Sequence, residues 1–285
     1  MGFIKKLFKP LAPTFFRLRL IFWKLQKKKS FLILWNRGLG DIALGLYGLN
    51  LRIRENIQEA QITYITREDL KIGFEFLGNC NVIVDPMMKR GKPYLMHEDL
   101  KREHAIIIEK ANPTDWLLDQ LNHIQPKMTL GQINLHKVKT KIALHVQSET
   151  GQFYGYEKNW PTSSFRNLIQ KLNLQGITPL LIGLKKDDSY KELLVEDLRG
   201  ELKLDQTIRL ILEECHTLVA PDSGILSLVY YFEHPSPLKI ISLWADPHQG
   251  ILKQKVSSPN PLLNHIPLIE KDLKNLDVDS VMRVL

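Results

Sequence analysis

What most limits the fold of this chain is a repeating order. Short, almost wholly apolar runs stop at glycine, aspartate or proline, and helical patterns follow them. FLILWN at 31–36 halts at Arg37-Gly38-Leu39-Gly40-Asp41, and a helical pattern runs from Ile42 to about Asn56. ITYI at 62–65, a helix near 67–77 and NVIVD at 81–85 continue the series; AIII at 105–108 adds a strand and Trp116–Leu121 a helical turn. Residues 86–104, with Lys89, Arg90, Gly91, Lys92 and Pro93, read as a loop. After the basic stretch His136–Lys141 the pattern restarts: KIALHV at 141–146, a helix over Thr162–Asn173, TPLLIG at 178–183, a helix over Leu204–Glu214, TLVAPD at 217–222, a helix over Gly224–Phe232, LKIISLW at 238–244 and a closing helix near 277–285. Apolar runs of strand length alternating with helices build parallel sheets covered on both faces. The order predicts an α/β chain of two doubly wound, Rossmann-like lobes, 31–137 and 138–285, facing a central cleft at the carboxyl ends of their sheets. A length of 285 residues suffices for both.

The net charge of +8 suggests nucleic acid until it is located. Nine of the basic residues lie in 1–30, which holds no acid, and the rest of the chain carries 30 basic against 31 acidic side chains. A body that grips phosphate backbones spreads positive charge over its own face, so nucleic acid is not expected as a partner. Cys80 and Cys215 stand far apart without ligand spacing and read as small buried hydrophobes in a reducing compartment. The nine histidines show neither HxH nor HExxH, so no metal is expected. Asp277-Val278-Asp279 imitates a metal-binding pair but sits at a helix start, where capping explains it.

TFFRLRLIFWKLQKKK at 14–29 forms a basic amphipathic helix with Phe15, Leu18, Phe22 and Leu25 on one side and Arg17, Lys24 and Lys28 on another; Trp23 suits a water–lipid boundary. Residues 1–30 are expected to lie on anionic lipid, each basic residue contributing about 1 kcal/mol. A helix packed on the body with a solvated charged face is the alternative. No apolar stretch approaches the roughly 20 residues of a membrane span, and Pro10, Pro13, Arg17 and Arg19 break any signal-peptide pattern. The expected location is the cytoplasm, at the inner face of the membrane.

Three segments in order resemble glycosyltransferase family 9, the lipopolysaccharide heptosyltransferases: RGLGDIALGLYGLN at 37–50, EKNWPTSSFRNLI at 157–169 with GITPLLIG at 176–183, and DLRGELKLDQTIRLILEECHTLVAPDSGILSL at 197–228. The resemblance implies the GT-B architecture and inverting, metal-independent transfer of a heptose or related sugar, ADP-heptose favoured as donor, to a lipid-linked saccharide such as the lipopolysaccharide inner core. No cofactor is implied, since the nucleotide sugar is a substrate. The alternatives are the same fold with another sugar nucleotide and envelope glycan, or a decayed nucleotide-binding scaffold.

The resemblance also assigns residues. Asp41 becomes the general base that takes a proton from the acceptor hydroxyl; an N-cap carboxylate for the following helix is the other reading. Arg37, Gly38 and Gly40 form the acceptor-side loop around it. Asp222, Ser223 and Gly224 open a helix whose N–H groups can hold a diphosphate, or else they are a plain N-cap. Lys158 neutralises the departing diphosphate, the work a metal does elsewhere, or is a solvated loop lysine. Trp160 and Pro161 start the helix at 162, and Asp197–Gly200 and His216 are further candidates for the nucleotide. Ser227 is counted with the donor-binding residues, but it is one of two departures: it occupies a position where the family often has histidine, and the acidic residue expected soon after Gly183 is displaced by Leu184, Lys185 and Lys186 to Asp187.

Overall fold

The structure, a computed structural model, describes residues 12–90, 92, 94–108, 124–134, 137–148 and 157–285. The chain divides into two compact units, Met1–Met128 and Thr129–Leu285. The expected helical turn at Trp116–Leu121, residues 1–11 of the basic segment and most of the loop before Lys158 lie outside the described residues.

In the first unit, α1 (Ala12–Leu25) precedes β1 (Ser30–Leu34). A π-helical turn at Ile42–Leu46 runs into α2 (Tyr47–Asn56). Then come β2 (Gln61–Thr66), α3 (Lys71–Leu77), β3 (Asn81–Val84), α4 (Glu98–Arg102) and β4 (Ile106–Ile108). The sheet order is β3-β2-β1-β4, all parallel. Phe31, Leu32 and Ile33 of β1 are wholly buried, as a central strand covered on both faces requires. The stretch 86–104 is not all loop: it contains α4. That single turn buries no residue, so it has no apolar period to betray it, and its acidic start and basic end suit the helix dipole.

The second unit holds β5 (Lys141–His145), α5 (Thr162–Leu174), β6 (Leu180–Ile182), β7 (Glu196–Asp197), α6 (Leu204–Glu214), β8 (Cys215–Pro221), α7 (Gly224–Tyr231), β9 (Leu238–Trp244), α8 (Gly250–Gln254), β10 (Leu263–Ile269) and α9 (Val278–Met282). Its sheet is parallel throughout, in the order β10-β9-β8-β5-β6-β7. The chain winds outward from β5 to β7, then returns to lay β8, β9 and β10 on the other side. This is the doubly wound Rossmann order, with its switch point between β5 and β8. The sequence pattern does not show β10, because it is a half-exposed edge strand carrying Pro267, a residue tolerated only where the missing N–H faces no neighbour. α5 buries Phe165, Leu168, Ile169 and Leu172 against this sheet, each contributing about 1.5–3 kcal/mol.

α1 carries two apolar faces and buries one. Leu20 is buried and Trp23 turns its edge to Phe31 at 5.7 Å. Trp23 therefore packs one edge on the body and stays partly exposed. The other face remains in solvent: Phe15 is 54%, Leu18 56%, Phe22 56% and Leu25 76% exposed. Among the described residues, no helix is long and apolar enough to cross a membrane.

Candidate active site

Open α/β sheets bind ligands beyond the carboxyl ends of their strands, at the point where the winding reverses. In the second unit that point is the end of β5 and β8, and five of the predicted residues, Lys158, Asp222, Ser223, Gly224 and Ser227, gather there. β8 ends at Pro221, Asp222 and Ser223 follow, and α7 begins at Gly224. Ser223 occupies the N-cap with extended backbone angles, and its Oγ accepts the Leu226 N–H at 3.1 Å. Its carbonyl accepts from the Ser227 N–H and the Ser227 hydroxyl, both at 3.1 Å. The Ser227 hydroxyl is thus turned back onto the helix, the usual bond of a serine inside a helix. The amides of Gly224 and Ile225 stand at the helix start, where no intrahelical acceptor exists.

Lys158 reaches this turn from 64 residues away and pairs its Nζ with Asp222 Oδ2. Both side chains are buried. Asn159 holds the lysine's loop in place by accepting the Ser148 N–H at 2.6 Å and donating to the Ser148 carbonyl at 3.1 Å. Trp160 is wholly buried, donates to the Leu276 carbonyl at 3.0 Å and packs its edge on Phe165, so it anchors α5 as expected of a structural residue.

Two neighbours of this turn escape a reading of the sequence. His145, the last residue of β5, places Nδ1 3.1 Å from Ser223 Oγ. The ring is buried, which pushes its pKa down to about 4. Gly250 sits against Asp222 and Trp244 with φ +48, so tightly that a Cβ would meet both at 2.7 Å. Neither carries a motif. The apolar run around His145 marks a strand but not its neighbour, and a left-handed glycine looks like any other.

A cleft of about 300 Å3 opens beside the loop that carries Lys158, lined by Asn159, Trp160, Thr162, Asp187, Tyr190 and Arg199 among others, while Lys158, Asp222, Ser223 and Gly224 themselves do not line it. Arg199 is buried and donates to Asp187 at 3.0 Å and to Asp197 at 2.9 Å, with its guanidinium 4.8 Å over the Tyr190 ring. Burial works against the charge on Asp197, but the bonds from Arg199 outweigh it and hold the carboxyl below its ordinary range. Asp187, displaced in sequence, still reaches the cleft, as does Arg199 of the Asp197–Gly200 turn. His216 does not. It lies at the amino end of β8, where the register with β5 shifts, roughly 15–20 Å from Asp222 along the strand.

In the first unit the switch point lies between β1 and β4. The loop after β1 carries exposed Arg37 and partly buried Gly38, Gly40 and Asp41. Asp41 has right-handed helical angles (φ −65, ψ −18) and makes no side-chain capping bond. Its carboxylate leans toward Gly38, where a Cβ would meet Oδ2 at 3.3 Å. Gly73 of α3 packs so closely on Leu39 and Ile42 that a Cβ would approach each to 2.7 Å, pinning the loop from behind. Asp277 occupies the N-cap position of α9 without a side-chain capping bond, and Asp279 pairs with Lys171. Among the described residues, no cluster of three or more His, Cys, Asp or Glu side chains could hold a metal ion.

Residues 52–235 match the model of glycosyltransferase family 9 (heptosyltransferase), and no curated protein matches the chain. Among solved structures, the fold is similar to Escherichia coli ADP-heptose lipopolysaccharide heptosyltransferase II, with a TM-score of 0.60 at 15% identity over 89% of this chain and 96% of that one. It is also similar to a family 9 glycosyltransferase from Veillonella parvula (TM-score 0.58, 14% identity, 90% and 95% covered). A third is E. coli heptosyltransferase WaaC with ADP-2-deoxy-2-fluoro heptose (0.56, 13%, 89% and 98%). At such identities the likeness speaks for the fold, two parallel α/β units of GT-B type. The family match spans more than half of the sequence, and with it the chain belongs to glycosyltransferase family 9 and is a glycosyltransferase.

Proposed function

We propose that the enzyme transfers a heptose or related sugar, with inversion and without a metal, from a nucleotide donor, ADP-heptose favoured, to a lipid-linked saccharide such as the lipopolysaccharide inner core. The observation that carries this reading is the Lys158–Asp222 pair beside the Ser223 helix start: a buried cation fixed at a turn with open amides suits a diphosphate. The acceptor hydroxyl attacks the anomeric carbon as the bond to the diphosphate breaks, Asp41 takes the hydroxyl proton, and Lys158 with the Gly224 amide balances the charge of the leaving group. Ser223 donates to the same oxygens, while Asp222 positions Lys158 and Ser227 secures the first turn of α7. Arg37, Gly38 and Gly40 shape the acceptor side. A second reading, the same chemistry with another sugar nucleotide, draws on Arg199, which engages Asp187 in the adjoining cleft.

The exposed apolar face of α1, with Arg17, Arg19 and Lys24 on the same helix, supports a peripheral position on anionic lipid at the cytoplasmic membrane face, where such an acceptor lies. The test is ADP release from ADP-heptose with a lipid-linked core acceptor. Asp41→Asn is expected to keep donor binding, read by thermal shift, and to lose about 10²-fold or more in turnover. Near-normal turnover in that variant removes Asp41 from the chemistry.

A further inference from the structure

We propose that His145 is a positioning residue for the donor diphosphate: protonated on Nδ1, its ring donates to Ser223 Oγ and so leaves the serine's one proton for a phosphate oxygen. The inference rests on the reading of Ser223 as part of the donor site, and it goes further by saying what makes that hydroxyl a donor.

A serine hydroxyl offers one proton and two lone pairs. At Ser223 one lone pair is taken by the Leu226 N–H. The other partner is His145 Nδ1, at 3.1 Å. If Nδ1 is bare, the serine's proton must go to it, and the oxygen turns a lone pair toward the ligand. A phosphate oxygen has only lone pairs to give, so that arrangement repels it. If Nδ1 carries the proton, both lone pairs of Oγ are filled and its O–H points outward. One tautomer therefore fits an anion and the other does not.

The surroundings suit such a choice. His145 ends a central strand, is buried, and holds Oγ across the β5–β8 seam at the switch point. Burial keeps the ring neutral near pH 7, so the proton's location on the ring is what varies. Ser227 does not compete for Oγ, because its hydroxyl is committed to the Ser223 carbonyl.

Ring-15N histidine labelling of the full chain tests this, with the His145 signals assigned by their loss in His145→Asn. With ADP bound, Nδ1 is expected to show the shift of a protonated ring nitrogen and Nε2 that of a bare one. The reverse assignment in the ADP complex overturns the proposal. In binding assays His145→Asn, whose amide nitrogen stands where Nδ1 stood and can donate, is expected to hold ADP within about twofold, and His145→Leu to weaken it about tenfold. Equal weakening in both variants, with melting temperatures unchanged, also counts against it. If ADP and pyrophosphate fail to bind the unaltered protein, the donor-site reading itself falls; binding with the wrong tautomer sinks the role of His145 alone.

Discussion

Gly250 and Asp222 are packed so that a Cβ on the glycine would lie 2.7 Å from the Asp222 carboxylate and equally close to the Trp244 ring. The carboxylate is thereby wedged from one side by backbone and held from the other by Lys158. Gly250 also has φ +48, where a side chain costs about 1 kcal/mol before any clash. Gly250→Ala is expected to destabilise the protein by about 1–3 kcal/mol and to raise the donor KM, since Asp222 and its lysine must shift. Chemical denaturation and steady-state kinetics read both; an unchanged KM would mean that the wedge has no bearing on the donor.

Lys158 and Asp222 separate structure from chemistry. Lys158→Ala leaves a buried carboxylate without its cation and is expected to cost about 3–5 kcal/mol. Adding Asp222→Asn removes the stranded charge, so the double variant should regain much of that stability. Turnover should stay low in both, because neither has a cation for the leaving diphosphate. Recovery of activity together with stability would reduce the pair to a structural role.

Acid stability follows from buried imidazoles. Burial lowers the pKa of His145 and of His265 to about 4, whereas an unfolded histidine titrates near 6.5. Between these values the unfolded chain binds more protons, so stability is complete above about pH 6.5 and falls as the pH drops toward 4. For His145 the loss is on the order of 3 kcal/mol at the acid end. Urea unfolding at pH 7.5, 5.5 and 4.5 should show this slope, and His145→Asn should flatten part of it.

The outer face of α1 offers a prediction independent of catalysis. The protein is expected to sediment with phosphatidylglycerol vesicles, less in high salt, and poorly with phosphatidylcholine. Replacing both Leu18 and Phe22 by aspartate should lower binding at least tenfold, since each apolar side chain is worth about 1.5–3 kcal/mol when buried. Turnover on a soluble acceptor should be unaffected. Full vesicle binding by the double variant would leave this face without a lipid role.

Much of the fold is legible in the chain because its signals are local. FLIL, ITYI, IALH and TLVAP are continuous apolar runs, and such runs read as buried strands whatever their neighbours turn out to be. β10 and α4 were not legible for the same reason reversed: one is an edge strand with a proline, the other a single solvent-exposed turn, and neither has an apolar period.

The candidate site divides likewise. The Asp222-Ser223-Gly224 turn and the Gly-Asp loop at 38–41 are short motifs at strand ends, so neighbouring residues suffice to announce them. Contacts across the sheet had to wait for the tertiary structure. His145 meets Ser223 across 78 residues and Lys158 meets Asp222 across 64, because β8 returns to lie beside β5 instead of continuing outward past β7. Local propensity carries no record of that choice of neighbour. It is made when the apolar faces of distant strands bury one another, and the same burial decided which face of α1 packs on β1 and which stays in solvent.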